Sequence, residues 1–165
     1  MVSNVDANHA GNMENRRSRF GIIVYANNAP IIWYSKLQNT VEASSFGSEF
    51  SALSISTEII ESLRYKLICF WISVERPAEL FFDIMSVVNN SSIPTSALNK
   101  GNNSIYYHSI REAQDIGILL IWVVTGEFNL SYLFTKTTIP WNKMHNLVGS
   151  IFSNKASPIG DIEKA

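Results

Sequence analysis

With 165 residues, 46% apolar and 12% aromatic, the chain is long enough to close one hydrophobic core without metal or cross-links. A net charge of −1, with only 16% charged residues, excludes the broadly basic profile by which nucleic-acid-binding proteins usually stand out. A lone cysteine, Cys69, excludes an intrachain disulfide and cannot by itself build a thiolate zinc site.

Taken in chain order, Val2–Ala7 reads as a first strand anchored only by Val5 and Val2. Arg16, Arg17 and Arg19 follow as the tightest basic cluster. Arg19–Tyr25 and Pro30–Tyr34 are β-rich runs joined by Asn27-Asn28, which predicts an antiparallel hairpin. From Ser44 to Trp71, Phe46, Phe50, Leu53, Ile60, Leu63, Leu67 and Phe70 recur at helical spacing and predict one long helix with a core-facing stripe. Ser44 or Ser45 can cap its start. Cys69 lies among Leu67, Ile68, Phe70 and Trp71 and is expected to be buried.

Glu79–Phe82 is expected as a short strand ending at Asp83, with a helical piece over Ile84–Asn89 and a polar loop over Asn90–Asn103. Tyr106–Ile116 is expected as a helix closed by Gly117, and Ile118–Val124 as a strand in which Trp122 is exposed. Asn129–Lys136 and Trp141–Phe152 read as two final helices. The domain is therefore expected to span 1–152, with a disordered tail over 153–165. The element order predicts an α/β fold in which a mixed five-stranded sheet, its first three strands antiparallel, is flanked by helices.

No signal peptide is evident, and the longest apolar run, Ile118–Val124, is too short to span a bilayer. The expectation is an intracellular chain with no membrane partner, cytoplasmic with nuclear access open. The three histidines lack zinc-ligand spacing, and neither a Walker loop nor GxGxxG occurs, so no small-molecule cofactor is expected. Three acids hold comparable places: Asp6 on the first strand, Glu49 one turn into the long helix, and Asp83 ending a later strand. If the two strands neighbour one another beneath the helix, the carboxylates could converge, and such oxygen donors suit Mg²⁺.

Read together, several segments carry a resemblance. They are Val5-Asp6-Ala7-Asn8-His9-Ala10-Gly11-Asn12 with Arg16-Arg17-Ser18, Pro30–Lys36 with Gln38–Glu42, and Ser48–Leu53. Asp83, Tyr107-His108 with Ile110-Arg111-Glu112, and Asn129-Leu130 with Phe134-Thr135-Lys136 complete the series. In this order they resemble the ribonuclease H domain of Ty1/copia-type retrotransposon Pol polyproteins, over roughly residues 1–150. The resemblance implies a ribonuclease H-like fold and two Mg²⁺ ions held by an acid quartet. It also implies hydrolysis of the RNA strand of RNA–DNA hybrids and an ancestral reverse transcriptase domain upstream.

Carried over, Asp6, Glu49 and Asp83 match the first three acids as catalytic and metal-binding residues. Arg16, Arg17 and Arg19 become candidate nucleic-acid contacts. The fourth acid is expected in an Ala-Asp pair that here reads Ser131-Tyr132. Further departures are Ile84 where Asn is usual, Asn8 where a second acid is common, and Asn99-Lys100-Gly101-Asn102 in place of a basic stretch. Three readings follow: a weakened hybrid nuclease, a catalytically inactive nucleic-acid-binding module, and a decayed transposon fragment.

Overall fold

The structure is a computed structural model describing residues 1–83, 104–126 and 128–152, with the backbone of 163–164. The expected helix over 84–89 and loop over 90–103 lie outside the described residues.

Three strands open the chain: β1 (Val2–Asn8), β2 (Arg19–Ala26) and β3 (Ala29–Leu37). Asn27 and Asn28 both take positive φ, 50° and 65°, the left-handed pair that a tight hairpin between right-twisted strands requires. Helix α1 (Ser45–Cys69) follows, then β4 (Ala78–Phe82), α2 (Ser104–Asp115), β5 (Leu119–Val123), the short α3 (Tyr132–Thr135), α4 (Trp141–Phe152) and β6 (Glu163–Lys164). The strand order is β3-β2-β1-β4-β5-β6. β1, β2 and β3 pair antiparallel, whereas β4 joins β1 in parallel and β5 joins β4 in parallel.

Five strands match the expected mixed sheet. A sixth, Glu163–Lys164, pairs antiparallel with Val123 and Trp122, inside the segment expected as a disordered tail. Trp122, expected exposed, is partly covered in β5.

β1 has few apolar residues yet Ser3–Ala7 are buried, because this central strand is flanked by strands on both edges and covered by α1 on one face and the α3 turn on the other. Ser3, Val5 and Ala7 turn toward α1, where the Ser3 and Ser56 hydroxyls share a 2.9 Å hydrogen bond. The main core joins Val5, Phe20, Ile22 and Val24 to Phe50, Leu53 and Ile60 of α1 and Ile110 of α2. On the opposite face Ile23 and Tyr25 pack with Leu130 and Leu147, the layer formed by α3 and α4. Gly117, at φ 74°, ends the α2 turn as expected.

Ser44 caps α1, its hydroxyl accepting from the Gly47 N–H at 3.2 Å, a contact worth about 1 kcal/mol. The far end of α1 corrects two expectations. Phe70 is 75% exposed and Trp71 96% exposed, and Cys69 is exposed rather than buried. The reason is length: 25 residues extend roughly 37 Å at the usual rise, beyond what strands of five to nine residues cover. The apolar stripe therefore runs on after Leu63 past the sheet that would bury it.

Candidate active site

The β1–β4 ladder stops at the Asn4–Phe81 pair, and past it the two strands separate. Asp6 leaves β1 in this opening, and Asp83 follows β4 directly beyond Phe82. Asn129, fully buried, closes the gap from the side. Its Nδ2 donates to the Val5 carbonyl at 2.7 Å, while its Oδ1 accepts from the Ser131 N–H at 3.1 Å and from the Ser131 hydroxyl. This amide substitutes for the strand neighbour that β1 lacks there, and it seats α3 against the sheet.

Gly21 lies directly across β2 from Asp6. A Cβ at that position would fall 2.6 Å from the Phe134 Cβ and 2.8 Å from the Ser131 carbonyl. The α3 turn therefore rests on bare backbone, and the Thr135 hydroxyl can donate to Asp6 Oδ2.

Glu49 enters from the first turns of α1 with 6% of its surface exposed, and Asp6 with 5%. Glu49 Oε2 is buried without a hydrogen-bond partner. Burial is the main cause that lifts the Glu49 carboxyl to about 9, and the Asp6 charge adds to it; Lys136 and the Ala7 N–H oppose the rise. Burial also raises Asp6, against the Thr135 hydrogen bond and Lys136, with Asp83 pushing it further up. Asp83, half-buried, is raised by burial and held down by the Gly126 N–H, Lys143 and Lys136. The charges of Asp6 and Asp83 both act on Glu49, and that of Asp83 on Asp6. Among the described residues, however, no three acidic, imidazole or thiol side chains are close enough to enclose a metal ion together.

A group whose folded pKa lies above its unfolded value binds more protons when folded. Its contribution to stability is fully present below the unfolded value and is lost as pH rises to the folded one. For Glu49 that window runs from 4.5 to about 9. In metal-free buffer, urea midpoints should fall as pH rises through this window. Glu49→Gln should flatten the decline, with Asp6 and Asp83 leaving a residual slope. Identical pH profiles for the two proteins would contradict this account.

Tyr132, where the resemblance leads one to expect a fourth acid, opens α3, and its phenol brings no carboxylate to the cluster. The Lys143 Nζ lies 3.5 Å from its ring centroid and the Lys136 Nζ 5.5 Å from it. Arg16 and Arg17 are exposed on the loop between β1 and β2, with Arg16 at φ 56°. Arg19 instead donates to the Ser35 hydroxyl at 3.2 Å, and that hydroxyl donates to the Phe134 carbonyl of α3. Ile84 and Asn99–Asn102 lie outside the described residues.

Sequence reasoning used Asn129 and Thr135-Lys136 only as landmarks and missed what they touch. Their closeness in sequence to Ser131-Tyr132, where the resemblance implies a fourth acid, was the available signal. Lys143 carried none.

No known family profile matches the chain. The fold is similar to LC11-RNase H1 solved with an RNA/DNA hybrid, with a TM-score of 0.62 at 12% identity over 81% of this chain and 92% of that one. It is also similar to the prototype foamy virus protease-reverse transcriptase, with a TM-score of 0.51 at 10% identity over 96% of this chain and 21% of that one. Sheet order and helix placement make this a domain of the ribonuclease H fold.

Its sequence relationship is to retroelement Pol. The chain is 28% identical over 155 residues to the retrovirus-related Pol polyprotein from transposon RE1 of Arabidopsis thaliana. That match takes in 94% of this chain and only 10% of the relative's length. Among the described residues no helix is long and apolar enough to cross a membrane.

Proposed function

We propose that this domain is of Ty1/copia-type origin and engages RNA–DNA hybrids as a ribonuclease H whose hydrolysis is weakened by Tyr132. The single observation that carries the reading is the placing of Asp6 on β1 and Asp83 just past the adjacent parallel strand β4, with Glu49 of α1 buried beside Asp6. In the polyprotein from which such a domain descends, a reverse transcriptase domain precedes it. The likeness of this chain to part of the prototype foamy virus protease-reverse transcriptase supports that placing.

The donor types suit a divalent cation, although the three side chains as they stand are not close enough to enclose one together. Each offers hard carboxylate oxygens, and the unpartnered Glu49 Oε2 is a buried acceptor that a cation would satisfy. The donor set does not fit a second ion, because the phenol at 132 faces ammonium groups instead of completing a carboxylate set. A bound Mg²⁺ supplies Lewis-acid stabilisation of the phosphoryl oxygens and lowers the pKa of its water.

The protein's own residues do the rest. Thr135 fixes the Asp6 carboxylate, and the Ala7 and Gly126 N–H groups favour the charged forms of Glu49 and Asp83. Arg16, Arg17 and Arg19 contribute backbone-phosphate contacts, which read charge and not sequence. Binding without cleavage is the second reading, and the lysines gathered at Tyr132 favour it.

The test is cleavage of a labelled RNA–DNA hybrid by the purified chain with Mg²⁺, beside Asp6→Asn. We expect slow cleavage that Asp6→Asn reduces by at least about 10²-fold, the usual scale for losing one charge-stabilising group. Cleavage unaffected by Asp6→Asn would remove the acids from the reaction. Binding with no detectable cleavage would establish the second reading.

A further inference from the structure

Tyr132 replaces a negative charge, and what gathers on it is positive. Lys143 projects from α4 onto the ring at 3.5 Å, and Lys136 approaches at 5.5 Å from the end of α3. Lys136 also reaches Asn8 Oδ1 at 3.5 Å, two residues beyond Asp6 on β1. Tyr132, Lys136 and Lys143 are each half-buried, so these ammonium groups border the opening that holds the carboxylates. A lysine is otherwise a mobile point charge, and an aromatic face and an amide oxygen restrict where it stands. An aspartate at 132 would set four carboxylates against two lysines. The tyrosine leaves three and adds a neutral surface on which the cations rest.

We propose that Tyr132, Lys136 and Lys143 form a phosphodiester-binding subsite beside the carboxylates, which holds a backbone phosphate without a divalent ion. The inference rests on the hybrid reading above for the identity of its ligand. The ring is the positioning element and Lys143 the contact, so the phenol oxygen is dispensable while the aromatic face is not.

The experiment is fluorescence anisotropy of a labelled RNA–DNA hybrid with the full chain in EDTA, across a range of KCl. Wild type should bind. Lys143→Gln should weaken binding about three- to tenfold and reduce the magnitude of the log–log salt slope by about one, the signature of one lost phosphate contact. Tyr132→Phe should match wild type and Tyr132→Leu should match Lys143→Gln. Should Tyr132→Leu fail to fold, the partly exposed Lys143→Gln decides alone. Equal affinity and slope for wild type and Lys143→Gln would overturn the subsite while leaving the hybrid reading intact.

A parallel NMR titration with inorganic pyrophosphate separates the two ideas in the other direction. Shifts of the Lys143 side-chain signals, lost in Tyr132→Leu, without any hybrid binding would keep the subsite and overturn the hybrid ligand. No response to either probe would overturn both.

Discussion

Replacing Tyr132 by aspartate is expected to raise Mg²⁺-dependent hydrolysis of an RNA–DNA hybrid by on the order of 10²-fold, the scale on which one group aimed at developing charge usually acts. The substitution places a carboxylate at the first position of α3, the turn whose Thr135 hydroxyl already holds Asp6. It also removes the ring on which Lys143 rests and gives both lysines a carboxylate to pair with. Metal-free hybrid binding should therefore weaken as hydrolysis rises, a reciprocal change that a purely structural effect would not produce. Initial cleavage rates and anisotropy on the same preparations measure both. A folded Tyr132→Asp protein that binds hybrid and cleaves no faster would mean that another departure disables the chemistry. Ile84, directly after Asp83, would then be the next residue to restore, to asparagine.

The second large effect is on stability. Gly21→Ala should destabilise the chain by about 2 kcal/mol, within the range for forcing extra atoms into a packed site. The new methyl would meet the Phe134 Cβ at 2.6 Å and the Ser131 carbonyl at 2.8 Å. Neither is the free end of a flexible side chain, so the α3 turn itself must shift. The entropy that alanine removes from the unfolded chain offsets this by only about 0.4–1 kcal/mol. Displacing α3 also withdraws the Thr135 hydroxyl from Asp6, so loss of hybrid cleavage should accompany the loss of stability. Urea unfolding should show an earlier midpoint with an unchanged slope. An unaltered midpoint would mean that α3 does not rest on the strand as described.

Much of this organisation was legible in the residues because it depends on local chemistry. The Asn27-Asn28 turn, the Ser44 cap, the helical spacing from Phe46 to Leu63 and the β-rich run ending α2's return at Val123 each follow from a few neighbouring side chains. Asp6 on the first strand, Glu49 in the long helix and Asp83 after a later strand could also be placed on their elements from the residues alone, whereas a fourth acid at position 132 is an expectation from the resemblance. What the residues could not disclose is long-range. The burial of Ser3, Asn4 and Asp6 depends on β1 lying mid-sheet beneath α1 on one face and α3 on the other. The exposure of Cys69, Phe70 and Trp71 depends on how far the sheet extends beneath α1, which periodicity within the helix cannot measure.

The site divides the same way. Carboxylates are recognisable from their own residue types, whereas their electrostatic partners are set by packing. Thr135 meets Asp6 across 129 residues of chain, and Asn129 meets Val5 across 124. Lys143 reaches the Tyr132 ring only because α3 and α4 share the face of the sheet on which Ile23, Tyr25, Leu130 and Leu147 close a second small core. Fold class and the presence of acids at these places rest on residue type and spacing, which neighbouring residues carry. Which cations and hydroxyls attend those acids follows instead from which surfaces of distant segments bury one another.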